Sequence, residues 1–165
     1  MSDDKSVVEY SPDYREDTKK LFYNVYKNAP FNYEWLGMEQ VDEYFKDMED
    51  TPHSLNYILM QEDKIVGVCM GQTEEHFMTP GYKINELFIT GDHQSQGLGS
   101  YFMSEIENML LKRGIKAIYL FTNRNMKAYE FYLRNNFIAH NDTVYMAKLI
   151  KPETTLLYAR TFMRE

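Results

Sequence analysis

At 165 residues the chain suits one domain with a sizeable core, so neither a metal nor a disulfide is needed as a staple. A hydrophobic content of 44% excludes general disorder, and a net charge of -7 disfavours nonspecific nucleic-acid binding. A single cysteine, Cys69, excludes an internal disulfide; with an acidic start and no run near the roughly 20 apolar residues of a membrane span, a soluble cytoplasmic protein is expected.

Taken in chain order, "SVVEY" (6–10) reads as a strand. Ser11 then caps a helix with Pro12 at its first position, and Asp13, Glu16 and Asp17 sit at the positive end of its dipole. The pattern breaks in "KNAPFNYEWLG" at Pro30 and Gly37. Met38, Val41, Phe45 and Met48 predict a second helix with an acidic outer face. Residues 55–61 and 64–75 read as a hairpin turning at Glu62-Asp63, and 82–90 as the next strand. Leu98, Tyr101, Phe102, Ile106, Met109 and Leu110 mark the clearest helix, stopped by Gly114. Residues 116–122 predict a strand buried on both faces, 125–135 a short helix, and "FIAH" with "TVYMAKL" a final strand pair. The order predicts an α/β domain with a mixed sheet over 1–150, followed by an apolar extension at 151–165. That extension packs either on the domain or on a partner subunit, which would make a homodimer.

The turn "GDHQSQGLGS" (91–100) joins a core strand to the clearest helix. A helix N-terminus offers unpaired N–H groups and partial positive charge, and Gly97 and Gly99 leave it open to a phosphate. No Gly-Lys-Ser/Thr follows, so this is not an NTP-hydrolysing loop, and the third glycine of a dinucleotide fingerprint is missing. Through Asp92 the chain carries a net -11, and from His93 onward a net +4. That asymmetry suits an anionic ligand at the turn and a cationic one facing the first half.

"QSQGLG" (94–99) resembles the acetyl-CoA signature of the GNAT N-acetyltransferase superfamily. "ELFI" resembles that family's central splayed strand, and "NMKAYEFYLRNNF" its second motif, through Asn125, Ala128, Tyr132 and Asn136-Phe137. Asn136 stands where glycine is usual, a substitution asparagine tolerates because it adopts positive φ more readily than most residues. The resemblance implies a mostly antiparallel central sheet flanked by helices, with acetyl-CoA in the splay between two central strands. It implies that the amides of Gln96, Gly97, Leu98, Gly99 and Ser100 hold the coenzyme A pyrophosphate, with Gln94 beside it. Backbone groups of Phe88 and Ile89 would pair with the pantetheine arm, and Asn125 would touch it. The implied activity is transfer of an acetyl group to a primary amine by direct attack in a ternary complex.

The resemblance implies that Tyr132 lies near the departing sulfur and makes it the candidate acid; the helix pattern alone reads it as a core tyrosine packing with Phe131. Glu86, lone in an apolar strand, is the candidate base; alternation places it on one face with Ile84 and Phe88. Substrate anchoring or a structural ion pair is the competing role. A metal site is not expected, because the four histidines are dispersed and no Cys-x-x-Cys occurs. Cys69 reads as a small buried hydrophobe.

In this family the first helices and the loop between strands 64–75 and 82–90 shape the acceptor pocket. Here they supply Phe31, Tyr33 and Trp35 as aromatic walls, Glu34, Glu74 and Glu75 as anions, and His76 as a relay. "FNYEW" and "ELF" are similar to aminoglycoside-type N-acetyltransferases. The expected acceptor is a small cationic amine, aminoglycoside- or polyamine-like, with no nucleic-acid or membrane partner. A protein or peptide N-terminal acetyltransferase and a noncatalytic acyl-CoA-binding module are the alternatives.

Overall fold

The computed structural model describes residues 4–28, 37–76, 79–91, 97–146 and 148. Five strands form one sheet: β1 (Lys5–Glu9), β2 (Tyr57–Gln61), β3 (Lys64–His76), β4 (Thr79–Ile89) and β5 (Ala117–Tyr119). They lie side by side in chain order; β1 to β4 pair antiparallel, and β5 runs parallel to β4. The helices are α1 (Arg15–Lys27), α2 (Met38–Glu49), α3 (Leu98–Lys112) and α4 (Lys127–Arg134). This is the mixed, mostly antiparallel sheet with flanking helices that the sequence predicts.

Local chemistry explains most of these boundaries. Glu62 and Asp63 turn the β2–β3 hairpin with φ of 48° and 60°, the left-handed pair that matches strand twist in a two-residue loop. Pro12 opens a 3-10 turn (Pro12–Tyr14) that leads into α1, and Ser11 makes no side-chain cap. Gly114, at φ 78°, closes α3.

The sheet separates two apolar clusters. On one side Tyr57, Leu59, Cys69, Tyr82 and Ile84 pack under Leu98, Phe102, Met103, Ile106 and Leu110 of α3. On the other, Ile58, Val68, Met70 and Phe88 pack under Phe22 and Tyr26 of α1 and Val41, Phe45 and Met48 of α2.

Two irregularities in β4 prepare a site. The ladder with β3 pairs Met70 with Glu86 but Gly71 with Ile84, so Asn85 is an extra residue, a bulge. The bulge corrects the expected alternation. Ile84 belongs to the α3 cluster, while Phe88, two residues past Glu86, belongs to the α1–α2 cluster. Glu86 is therefore turned toward α1 and α2. The second irregularity is a splay: β5 pairs with β4 only from Gly81↔Ala117 to Lys83↔Tyr119, so β4 runs on from Ile84 to Ile89 without it.

Two strand expectations fail. β5 covers 117–119 rather than 116–122, and it is half-buried, because among the described residues it has one neighbour, β4. Among described residues 137–146 no strand forms, and Ile138, Val144, Tyr145 and Met146 are exposed. β-Branched and aromatic residues favour a pleated surface only where a ladder partner and a buried face exist.

Candidate active site

At the start of α3, Gly97 has φ 76°, and a Cβ built there would meet nothing within 4 Å among the described residues. Its requirement is conformational. Tyr101 N–H bonds Gly97 O at 3.1 Å, so the amides of Leu98, Gly99 and Ser100 lie in the first turn, where helix geometry leaves N–H groups for an anion. Leu98 itself is buried in the α3 core. Gly99 has a different reason for being glycine. A Cβ there would lie 2.9 Å from the Phe131 ring, so its absence lets α4 pack directly on the first turn of α3.

That contact locates Tyr132. Its ring packs between Phe131 and Phe137, both at 5.2 Å between centroids. The C-terminus of α4 is tied by Phe137 N–H to Tyr132 O at 3.0 Å, with Asn136 at φ 63°. This is the 6→1 closure that glycine usually supplies, and asparagine adopts it as expected. The Tyr132 hydroxyl makes no hydrogen bond among the described residues. Burial, then the Cys69 thiol and Glu86, hold it well above an ordinary phenol, so it remains protonated. Asn125 is exposed just before α4, its N–H bonded to Asn123 Oδ1.

The splay leaves the far edge of β4 past Lys83 without β5. Thr90 N–H bonds Val66 O, so by ladder alternation the Phe88 groups also face β3, while those of Leu87 and Ile89 face the side that β5 has left. Leu87, like Ile89, therefore turns its backbone groups to the β5 side of β4, and Phe88 turns its own to β3.

Glu86 is the chemical centre of the opposite side. Its Oε2 accepts the Tyr26 hydroxyl at 2.5 Å, and its Oε1 accepts the Tyr44 hydroxyl. Burial pushes its carboxyl above the ordinary value, and the two tyrosine donors pull it down. It makes no ion pair among the described residues.

Past Met70 the same face of β3 turns polar. Glu74 accepts from Gln72 Nε2 at 2.7 Å and from the Tyr119 hydroxyl, and Asn85 Nδ2 donates to Gln72 Oε1 at 3.3 Å. The Tyr119 ring reaches Glu74 across β4 over Gly81, where a Cβ would lie 3.1 Å from it. Glu75, adjacent to Glu74 on the strand, alternates to the other face and is exposed. The two glutamates therefore do not share one pocket. Phe31, Tyr33, Glu34, Trp35, Gln94, Gln96, the His76 side chain and the extension from 151 lie outside the described residues.

Sequence reasoning missed Tyr26, Tyr44, Gln72, Asn85 and Tyr119. Tyr26 sat within a helical apolar pattern that reads as core, and nothing local marked the others as neighbours of Glu86 or Glu74. Cys69 is buried, its Sγ lies 3.6 Å from the Tyr82 hydroxyl, and burial pushes the thiol up to about 12, so it is no nucleophile. Among the described residues no group of three His, Cys, Asp or Glu side chains is placed to hold a metal, and no helix is long and apolar enough to cross a membrane.

The sequence model of the Acetyltransferase (GNAT) family matches residues 14–137. No curated protein matches the chain. Among solved structures, an aminoglycoside acetyltransferase from an uncultured soil metagenomic sample, in complex with sisomicin, superimposes with a TM-score of 0.69 at 16% identity, over 89% of this chain and 97% of that one. Aminoglycoside N-acetyltransferase AAC(6')-Iy, in complex with CoA, gives 0.71 at 10% identity over 90% and 97%. A Trypanosoma brucei acetyltransferase gives 0.64 at 15% identity over 88% and 100%. At these identities the likeness is one of fold.

Proposed function

The chain belongs to the acetyltransferase (GNAT) family and is an acetyl-CoA-dependent N-acetyltransferase, and from that premise we propose that its acceptor is the primary amine of a small, cationic, hydroxyl-rich molecule of the aminoglycoside type. The observation that carries this reading is the strip formed by Gln72, Glu74, Asn85 and Glu86. It presents carboxylates and amides on one face of the sheet, beside the splay. Carboxylates pair with ammonium groups, and side-chain amides with both hydroxyls and amines. A bare polyamine would use the carboxylates alone.

Acetyl-CoA supplies an activated thioester. The Leu98, Gly99 and Ser100 amides suit its pyrophosphate, and the Leu87 backbone its extended arm. The acceptor arrives as an ammonium with a pKa near 10 and must lose a proton before it attacks. Glu86 takes that proton from the α1–α2 side. A carboxyl raised by burial holds a proton more readily at neutral pH than an ordinary glutamate. Tyr132 faces the leaving sulfur. Its raised pKa makes full transfer to a thiolate uphill, so its hydroxyl acts by donating a hydrogen bond to the developing charge. Attack in a ternary complex requires no covalent enzyme intermediate, consistent with the buried, inert Cys69.

The test is free-thiol release from acetyl-CoA across aminoglycosides, linear polyamines and short peptides. Aminoglycosides are expected to give the highest kcat/KM, and Glu74→Gln to raise their KM by about tenfold, the usual scale of a charged hydrogen bond. Turnover of peptides alone would replace the reading with a protein N-terminal acetyltransferase.

A further inference from the structure

We propose that Tyr26 and Tyr44 are positioning residues for acetyl transfer: by donating their hydroxyls to the two oxygens of Glu86, they set the pH at which Glu86 takes the acceptor's proton. The proposal rests on the reading of Glu86 as base and adds two residues from other elements to it.

The geometry is specific. Tyr26 comes from α1 and Tyr44 from α2, and each meets a different oxygen of one carboxylate. The Asn85 bulge turns that carboxylate toward both helices; a regular strand would have sent Glu86 to the side of Ile84. The groups facing it can be named element by element. They are Tyr26 of α1 and Tyr44 of α2, with the uncharged Met70 opposite on β3; the Cys69 thiol and the Tyr132 phenol feel its charge from the α3 side of the sheet. None of them is a cationic side chain, and no cation pairs with Glu86 among the described residues. Its ionised form is therefore held by two phenols in place of a Lys or Arg.

Two opposing effects meet there. Burial favours the neutral acid, and the phenol donors favour the carboxylate. A strong cation would fix the carboxylate in its ionised form and make it a poor base. With no donors, burial would keep it protonated and unable to accept. Two neutral donors leave it ionisable and still basic, which is the compromise general-base catalysis requires.

The rings have a separate packing role that does not depend on the hydroxyls. Tyr26 lies 4.5 Å from Phe22 and 5.9 Å from Phe88, and Tyr44 lies 5.5 Å from Phe22, between ring centroids. Substitution by phenylalanine keeps those contacts and removes one donor. With a donor gone, burial gains weight and Glu86 holds its proton to higher pH. The ionised fraction falls most at the acid end.

The experiment titrates the side-chain carboxyl carbon of Glu86 by NMR in the full chain without substrate, with the signal assigned through Glu86→Gln. Tyr26→Phe and Tyr44→Phe are each expected to move the midpoint to higher pH, and Tyr10→Phe, whose hydroxyl bonds Glu49, to leave it in place. In turnover assays the acid limb of kcat/KM is expected to follow. The loss should be about tenfold near pH 6 and within about twofold near pH 9, from the scale of one hydrogen bond to a charged group. An unmoved midpoint in both variants overturns the tyrosine assignment. A moved midpoint with an unmoved acid limb overturns the base assignment of Glu86, and with it the role in catalysis given to the tyrosines.

Discussion

On the α3 side of the sheet the contacts that matter are steric. Gly99 yields to the Phe131 ring, Tyr132 is gripped between two aromatic rings, and Leu98, Phe102 and Ile106 fill the space below. On the α1–α2 side a comparable apolar cluster is rimmed by charge. Arg15 bonds both Asp42 at 2.6 Å and Glu49 at 2.7 Å, Lys19 joins Asp42, Tyr10 joins Glu49, and two tyrosines hold Glu86. The α3 side, the donor half of the proposed reaction, is thus positioned by shape, which is insensitive to pH. The acceptor half is positioned by groups whose bonding depends on protonation. In the reaction proposed above, the donor would meet a wall fixed by shape and the acceptor a wall that titrates.

The sharpest way to test that contrast is to remove chemistry from the steric half without changing its shape. Tyr132→Phe keeps the ring between Phe131 and Phe137 and deletes the hydroxyl. It is expected to lower kcat about a hundredfold, the lower end for a donor acting in the transition state. Acetyl-CoA affinity, measured by calorimetry, should stay within about twofold, because the lost interaction is not made in the ground state. Unchanged kcat would remove Tyr132 from the reaction. A smaller effect is expected from altering the shape itself. Gly99→Val forces α3 and α4 apart at Phe131 and should cost roughly 1–3 kcal/mol in denaturant unfolding, as overpacked cores do. Phe131→Leu in the same chain should restore part of that loss. A Gly99→Val protein as stable as the parent would show that α4 does not bear on α3 there.

The two halves also differed in how far they could be read from sequence. The donor half is local: the Gly97–Ser100 turn, the helical spacing of Leu98 to Leu110 and the Asn136 closure all lie within short windows, where backbone preference decides. The Glu62-Asp63 hairpin was legible for the same reason. The acceptor half is built from distant partners. Tyr26 and Tyr44 reach Glu86 across 60 and 42 residues of sequence, and no local pattern separates a tyrosine that packs from one that donates. The Asn85 bulge broke the period-two rule that placed Ile84 with Glu86, because alternation assumes a strand without insertions. "FIAH" and "TVYMAKL" read as a strand pair from β-favouring residues, yet no strand forms among described residues 137–146, because a strand depends on a partner that composition does not reveal.

The smallest expected effect lies on the charged rim and fixes the sign of its pH response. Lys19 and then Arg15 hold the Asp42 carboxyl down to about 2 from an ordinary 3.8. A carboxyl depressed by folding contributes stability that is fully present above its unfolded value and is lost as pH falls through its folded value. The advantage of the parent over Asp42→Asn in thermal melts should therefore be level above about pH 4 and shrink steadily toward about pH 2. Asp42 is solvent-exposed enough that added salt should narrow the gap at neutral pH as well. The same melts on Gly99→Val and its parent should differ by an amount that does not vary over this range, since no titrating group enters that contact. A pH-dependent difference at Gly99, or a flat one at Asp42, would erase the division between a steric donor half and an electrostatic acceptor half.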